Sequence, residues 1–296
     1  MEINYVGSPG NTKLPFFAYG IFKPGQLAYP KIMNYVEGEP SAEIVDYEML
    51  YRDGIPLIRS EENENLKTSG YLMKFKGPEA YEIIGGSQSD KLFMWDKINV
   101  NGTLAYALVG VDPDCGSSSN QYDSVSYYNY RQDSFFKEAL ELIRDTKKEF
   151  EESDVVNMKD FFKIQMHYML LWSVIERFCN LTYGYAFIGK NIFNFANEWS
   201  FRDKLRLITR KDVVYSSDTL NDKYLDSNNH IDSIFYYYTI RCNVVHKGKT
   251  VPKEERNKLK NSLGELYCLF MAVYNGKLEV NNELLNKYGE RGINLN

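Results

Sequence analysis

The amino-acid sequence predicts an α+β protein of two domains, with a β-rich N-terminal region followed by an all-helical C-terminal region. The chain has 296 residues, which is more than one average domain contains. Residues 1 to about 112 hold short apolar segments bounded by glycine, proline and asparagine, a pattern typical of β-strands. From Asp133 onward apolar residues recur at three- and four-residue steps, the spacing of amphipathic helices.

Five segments of the N-terminal region are predicted strands. Each is roughly six to ten residues long, rich in tyrosine, phenylalanine, isoleucine and valine, and bounded by turn-forming residues. Asn101-Gly102 separates the last two and predicts a hairpin, because both residues tolerate positive φ. A helix is predicted at Pro78–Ile84. The predicted strands are Leu14–Tyr19, Ala42–Tyr51, Gly70–Phe75, Leu92–Val100 and Thr103–Val111.

A polar stretch of small residues, 112–121, has no periodicity and separates the two regions. We therefore predict an N-terminal domain at residues 1–112, a linker at 113–130 and a helical domain at 131–296. Within the helical domain, helices are predicted from Asp133 onward and at Asp160–Leu181, Glu198–Ile208, Ile231–His246 and Lys253–Tyr274.

Composition narrows the classes of function. Hydrophobic residues make up 44% of the chain and charged residues 25%, which allows a packed core. The formal net charge of -5 argues against a protein that coats nucleic acid, but not against an enzyme with a local basic groove.

Four cysteines without metal-ligand spacing and only three histidines predict no metal and no cofactor. Because no apolar run is long enough to span a bilayer and no signal peptide is recognised, we expect a cytoplasmic protein without a membrane partner.

One six-residue segment near the end of a predicted helix, Arg241-Cys242-Asn243-Val244-Val245-His246, carries side chains suited to RNA cleavage. At about 100° per residue, Asn243 and His246 share a helix face, whereas Arg241 lies about 140° from His246. Cleavage without a metal needs one group to take the 2′-hydroxyl proton and one to protonate the leaving 5′-oxygen, and histidine titrates near neutrality. A guanidinium suits the charge on the phosphoryl oxygens, and a neutral amide can orient the imidazole.

All six positions of this segment resemble the Arg–apolar–Asn–x–apolar–His signature of HEPN ribonucleases. Upstream, residues 171–178 resemble the core helix of that family, with Glu176 as the carboxylate that positions Arg241. The resemblance covers roughly residues 131–290. It implies a helical bundle that forms a homodimer, with the two motifs in one composite site. It also implies metal-independent cleavage of RNA to 2′,3′-cyclic phosphate and 5′-hydroxyl ends, carried by Arg241 and His246 with Asn243 and Glu176 in support.

Two basic clusters are candidates for the RNA path, although such runs are usually solvated helix faces. The first begins with Lys247 and Lys249, directly after the motif, and the second spans residues 202–211. The fusion of two such domains suggests a toxin or antiviral effector with a cognate antitoxin or regulator. Two alternatives stay open. In the first, Arg241 and His246 form a structural pair at a helix end, where His246 complements the helix dipole. In the second, the chain is a dimeric binding or regulatory protein without catalytic activity.

The N-terminal segment Phe16-Phe17-Ala18-Tyr19-Gly20-Ile21-Phe22-Lys23-Pro24-Gly25 is an apolar strand that enters a glycine-bracketed turn, where backbone N–H groups can bind an anion. It resembles the opening motif of the γ-glutamylcyclotransferase-like fold, and the resemblance spans about residues 10–112. That resemblance implies a small mixed β-barrel with a ligand pocket at the loop formed by Tyr19, Gly20, Ile21 and Phe22.

The catalytic glutamate of active cyclotransferases has no counterpart in residues 84–95 of this chain. Asp90 is a shorter stand-in, and Glu82 lies on the preceding predicted helix. The neutral glutamine and serines of this stretch cannot shuttle a proton near neutral pH. The N-terminal domain is therefore expected to act as a sensor or docking module, and γ-glutamylcyclotransferase activity is the weaker alternative.

Overall fold

The computed structural model describes residues 4–52, 55–60, 66–111, 123–124, 129–151, 157–184, 188–216, 221–247 and 253–289. The chain is a mixed α+β protein, as the sequence predicts. It divides into two compact units: Met1–Tyr130 with Asn180–Phe187 and Val280–Asn296, and Arg131–Cys179 with Ile188–Glu279. The domain boundaries at 1–112, 113–130 and 131–296 stay a prediction, because a compact unit need not fold on its own.

The first unit is built mainly from β-strands. Short 3-10 helices at Gly20–Phe22, Tyr29–Lys31 and Met33–Tyr35 follow its first strand. The strands and the one α-helix among them are β1 (Phe16–Ala18), β2 (Val36–Gly38), β3 (Ser41–Val45), β4 (Tyr47–Arg52), β5 (Ile55–Ser60), β6 (Lys67–Phe75), α1 (Glu79–Gly85), β7 (Phe93–Val100), β8 (Thr103–Gly110) and β9 (Asp123–Ser124).

Six of these strands form a mixed sheet in the order β2-β6-β1-β8-β7, with β3 also paired to β6. β1 is antiparallel to β6 and parallel to β8, where Phe16 lies opposite Tyr106. β7 and β8 form an antiparallel hairpin whose turn residues, Asn101 and Gly102, have φ angles of 50° and 85°. The predicted hairpin is therefore confirmed. A second sheet has the order β5-β4-β9, and closure into a barrel stays a prediction.

The strand predictions differ from the structure at four places, the first of which is the short strand β2, which was not predicted. The segment predicted as one strand, Ala42–Tyr51, is divided into β3 and β4 at Asp46, which has a φ of 66°. β5 was not predicted, and it contains Pro56, a residue that a sheet tolerates at an edge position such as this one. β9 falls within the predicted linker and pairs with β4.

Aromatic side chains fill the core of the first unit. Phe16 of β1 packs edge-on against Trp95 of β7 at 5.9 Å between ring centroids, and Tyr81 of α1 lies 5.7 Å from Trp95. The turn after β1 depends on Gly20, whose φ is 55° and whose added Cβ would lie 2.9 Å from Pro56 Cγ. Only glycine adopts this positive φ without strain and also avoids a close contact with Pro56.

The second unit is mainly helical. Its helices lie close to the predicted segments, except that α4 was not predicted and α7 extends well beyond Tyr274. Within the described residues, no helix is both long enough and apolar enough to span a bilayer. The elements are α2 (Ser134–Glu149), α3 (Met158–Tyr183), α4 (Ile188–Ala196), α5 (Trp199–Leu205), β10 (Asp212–Ser216), β11 (Asn221–Leu225), α6 (His230–Lys247) and α7 (Lys253–Gly289).

The prediction that the C-terminal region is all-helical is wrong at β10 and β11, which form an antiparallel hairpin. The physical reason lies in consecutive β-forming residues, since Val214 is buried while Val213 and Tyr215 are exposed, the alternation of a half-buried strand. Ser233 at the start of α6 fixes the end of the hairpin, because its hydroxyl donates to the Asp226 carbonyl at 2.7 Å.

Candidate functional site

The motif predicted from the sequence lies in the last two turns of α6. Arg241 and Asn243 are half-buried there. His246 and Lys247 belong to the last turn of the helix, but their side chains lie outside the described part of the structure, and Lys249 lies outside it entirely. The structure therefore positions the first part of the motif and the backbone that carries His246.

Arg241 and Glu176 are brought together from two helices. Arg241 Nη2 on α6 donates to Glu176 Oε1 on α3 at 3.4 Å, and the two side chains are 26% and 31% exposed. The guanidinium also lies over the ring of Tyr238, 5.6 Å from its centroid, and that ring packs edge-on against Trp172. Arg241 Nε is buried and has no hydrogen-bond partner among the described residues. The guanidinium is thus held from two sides, by the Glu176 carboxylate and by the Tyr238 ring.

Burial has a larger effect on the pKa of Glu176 than the charge of Arg241 has. Partial desolvation raises the pKa of the Glu176 carboxyl, and the neighbouring Arg241 guanidinium lowers it by less. The single 3.4 Å contact is therefore a weak ion pair. Burial also raises the pKa of Tyr238, so its hydroxyl stays protonated near neutral pH.

Asn243 faces the hairpin of the second unit. Its Nδ2 donates to the backbone carbonyl of Tyr215 in β10 at 2.9 Å. The neighbouring carbonyl of Val244 accepts from Gln165 Nε2 of α3 at 3.2 Å. These two bonds tie the end of α6 to β10 and to α3. The expected role of Asn243 in orienting His246 stays a prediction.

A polar network next to the motif was not predicted from the sequence. Arg210 makes a bidentate contact to Glu265 of α7 at 2.8 and 2.6 Å, and also bonds to Asp212 of β10. Tyr236 and Tyr237 of α6 donate to Asp212 at 2.8 Å and to Glu265 at 2.9 Å. Burial alone would raise the pKa of Asp212, but hydrogen bonds and nearby cations hold it below its usual value. Arg210, one of the basic residues considered for an RNA path, instead forms internal ion pairs.

An apolar groove lies beside the motif. It has a volume of about 600 Å³ and is lined by residues of α2, α3 and α6, among them Val244 of the motif. Met166 on α3 is 69% exposed, and Leu142 on α2 is 54% exposed. Phe162, one helical turn before Met166, is also exposed. Adjacent exposed apolar side chains of this size are typical of a surface that binds another protein.

The residues predicted to bind a ligand in the first unit form the turn after β1. Tyr19, Ile21 and Phe22 are at most 5% exposed, and Gly20 is also buried. The Tyr19 hydroxyl donates to the Leu108 carbonyl at 2.5 Å, and burial raises its pKa. These residues are thus part of the core.

Lys23, at the end of the same turn, was not predicted as a functional residue. It is 2% exposed, and desolvation lowers the pKa of its ammonium to about 7. Asp90 and Glu82, considered as stand-ins for a catalytic glutamate, are both exposed. The sequence offered one signal for Lys23, its position directly after the apolar residues Ile21 and Phe22 in a glycine-bracketed turn.

No group of three or more histidine, cysteine, aspartate or glutamate side chains suited to a metal ion occurs within the part of the chain that the structure describes. Comparison with protein-family models, with curated proteins and with solved structures gives no match.

Proposed function

We propose that the chain is a metal-independent endoribonuclease of the HEPN type, which cleaves RNA to 2′,3′-cyclic phosphate and 5′-hydroxyl ends. His246 would transfer protons to and from the reacting oxygens, because an imidazole titrates near neutral pH. Arg241 would neutralise the charge that develops on the phosphoryl oxygens. Glu176 would position Arg241, Asn243 would support the site, and Lys247 and Lys249 would bind the RNA backbone.

The observation that carries this proposal is the contact between Arg241 and Glu176, made by the first residue of a complete six-position motif. The contact holds the guanidinium through one Nη atom and leaves the buried Nε donor without a protein partner in the described residues. A phosphate oxygen would accept from the exposed part of the guanidinium, whose side chain is 26% exposed, and a charge-assisted hydrogen bond of this kind is among the stronger ones in proteins.

The active form would be a homodimer in which both motifs contribute to one site. Support comes from the exposed apolar groove at Met166 and Leu142, which includes Val244 of the motif in its lining. A second copy covering this groove would bring another motif to the same side of the molecule. The N-terminal module would sense or dock a ligand or partner, and an antitoxin or regulator would hold this toxin or antiviral effector inactive.

Incubation of the purified full-length protein with RNA in the presence of EDTA tests the activity. We expect cleavage that His246→Ala abolishes, with products that carry 2′,3′-cyclic phosphates. His230→Ala is a matched control because His230 lies at the other end of the same helix and bonds to Asn197. Equal cleavage by His246→Ala, or cleavage that EDTA prevents, would contradict the proposal.

A dimeric binding or regulatory protein without catalytic activity is the second candidate. It is favoured by one observation, that Arg241 and Asn243 both have partners within the chain, Glu176 and the Tyr215 carbonyl. Such contacts suit a structural role for the motif. A dimer that leaves every tested RNA intact, and in which Arg241→Ala changes only stability, would support this candidate.

A further inference from the structure

A second cavity in the helical unit has an apolar floor and a basic rim. It has a volume of about 390 Å³, close to the lower end of the roughly 300–1,000 Å³ that small-molecule sites occupy. Its floor includes Phe150, Ile164 and Leu263, which are at most 5% exposed. Lys147, Lys204 and Lys260 lie at its rim, one from each of α2, α5 and α7.

Gly264 keeps this cavity open. It lies inside α7, where glycine is among the least favourable residues for helix stability. A Cβ at this position would meet a single atom within 4 Å, Lys147 Cε at 3.8 Å, so helix packing does not require a glycine here. Any larger side chain at position 264 would project into the cavity, since Gly264 is part of its lining.

The charge at the rim is positive although the chain as a whole is acidic. Two carboxylates, Glu151 and Glu265, line the cavity, and Glu265 is neutralised by its bidentate contact with Arg210 at 2.8 and 2.6 Å. Lys147 pairs with Glu151 at 3.2 Å. Lys204 forms no ion pair with any residue that the structure describes. An anion at the rim would therefore meet the positive charge of Lys204.

We propose that this cavity binds an amphipathic anion, a molecule with an unbranched apolar body and one carboxylate head, such as a medium-chain fatty acid. The apolar body would lie on Phe150, Ile164 and Leu263, and the carboxylate would face the lysines at the rim. Phe150, Ile164 and Leu263 offer no hydrogen-bond partner to the edges of a nucleobase. This site is separate from the proposed ribonuclease motif and does not depend on it.

Displacement of anilinonaphthalene sulfonate, a fluorescent amphipathic anion, from the full-length protein tests the proposal. We expect saturable binding of the probe and its displacement by decanoate. The neutral analogue decanol should displace the probe about tenfold less well, because it lacks the charge that the lysines attract. Displacement by adenosine monophosphate without displacement by decanoate would show a nucleotide site and overturn the proposal.

Two sets of variants assign the binding to this cavity. Gly264→Leu should project into the cavity and abolish displacement by decanoate, while its circular dichroism spectrum stays that of the wild type because leucine favours helix. Lys204→Gln combined with Lys260→Gln should weaken decanoate binding about tenfold, with two- to fivefold from each half-buried lysine. Lys148→Gln is the control, since Lys148 is exposed next to Lys147 but does not line the cavity. Unchanged binding in Gly264→Leu, or equal effects of the rim and control lysines, would overturn the proposal.

Discussion

Glu176 Oε1 lies 3.4 Å from Arg241 Nη2, so an acidic residue of α3 contacts the first residue of the motif on α6. The sequence positions are 65 residues apart, and the contact forms because α3 and α6 pack together, with the Tyr168 hydroxyl donating to the Tyr237 carbonyl at 2.7 Å. Burial raises the pKa of Glu176 in spite of this contact. Keeping Glu176 charged therefore costs free energy of folding. Such a cost is more typical of a functional residue than of one that stabilises the fold.

Glu176→Gln should lower kcat for RNA cleavage about tenfold, because Arg241 loses the charge that positions it. The free energy of unfolding should change by less than about 1 kcal/mol, since the neutral amide is easier to bury and can still accept a hydrogen bond. Glu141→Gln is the matched control, because Glu141 pairs with Arg144 on the exposed face of α2. A variant that cuts RNA at the wild-type rate, or that loses only stability, would show that the pair is structural.

Met166→Glu should weaken the proposed homodimer by roughly a hundredfold, because a carboxylate would be buried against apolar side chains of the second copy. The monomer should remain folded, since Met166 is 69% exposed. Phe193→Glu provides the control at an exposed apolar residue of α4 that does not line the groove. Sedimentation velocity measures the dimerisation of both variants. A dimer that survives Met166→Glu would place the interface elsewhere.

Arg210→Gln should lower the free energy of unfolding by about 2–4 kcal/mol, because Asp212 and Glu265 would each lose a charged partner in a largely buried network. The side chains of these residues are only 23%, 19% and 18% exposed. Lys211→Gln changes the adjacent exposed residue and should stay within about 0.5 kcal/mol of the wild type. Urea unfolding separates the two outcomes, and equal stability of both variants would mean that the network does not hold the hairpin.

The sequence predicted those elements whose signal is local. The turn at Asn101-Gly102 follows from the φ preferences of two residues, and α3 and α6 follow from apolar periodicity over many turns. The hairpin of β10 and β11 was missed because its strands are five residues each and stand among helices. β5 was missed because Pro56 opposes a strand unless the strand lies at a sheet edge, and edge positions are set by tertiary structure.

For the candidate site, the sequence predicted one contact that the structure shows, but not what surrounds it. Contact of Glu176 with Arg241 was expected from the family resemblance. The stacking of Arg241 on Tyr238 and the bond from Asn243 to the Tyr215 carbonyl were not, because they depend on how α6 packs against α3 and β10. Arg210 looked like a surface cation in the sequence, since its partners Asp212 and Glu265 become close only in the folded chain.

Lys23 should make the stability of the protein depend on pH in a defined direction. Burial lowers its pKa from 10.5 to about 7 in the folded chain, whereas an unfolded lysine keeps its ordinary value. Between these two values the unfolded chain binds more protons, so the free energy of unfolding should rise with pH, by at most about 1.4 kcal/mol per pH unit.

Urea unfolding at about pH 7, pH 8 and pH 9 measures this dependence, below the range in which tyrosines titrate. Lys23→Met should remove the rise and should stabilise the protein most at the lowest of the three pH values, where the wild type must keep its lysine neutral or bury a charge. Lys13→Met, at an exposed lysine of the same unit, should leave the dependence unchanged. If the slope persists in Lys23→Met, then Lys23 is protonated in the folded chain across this range and its burial does not lower its pKa to 7.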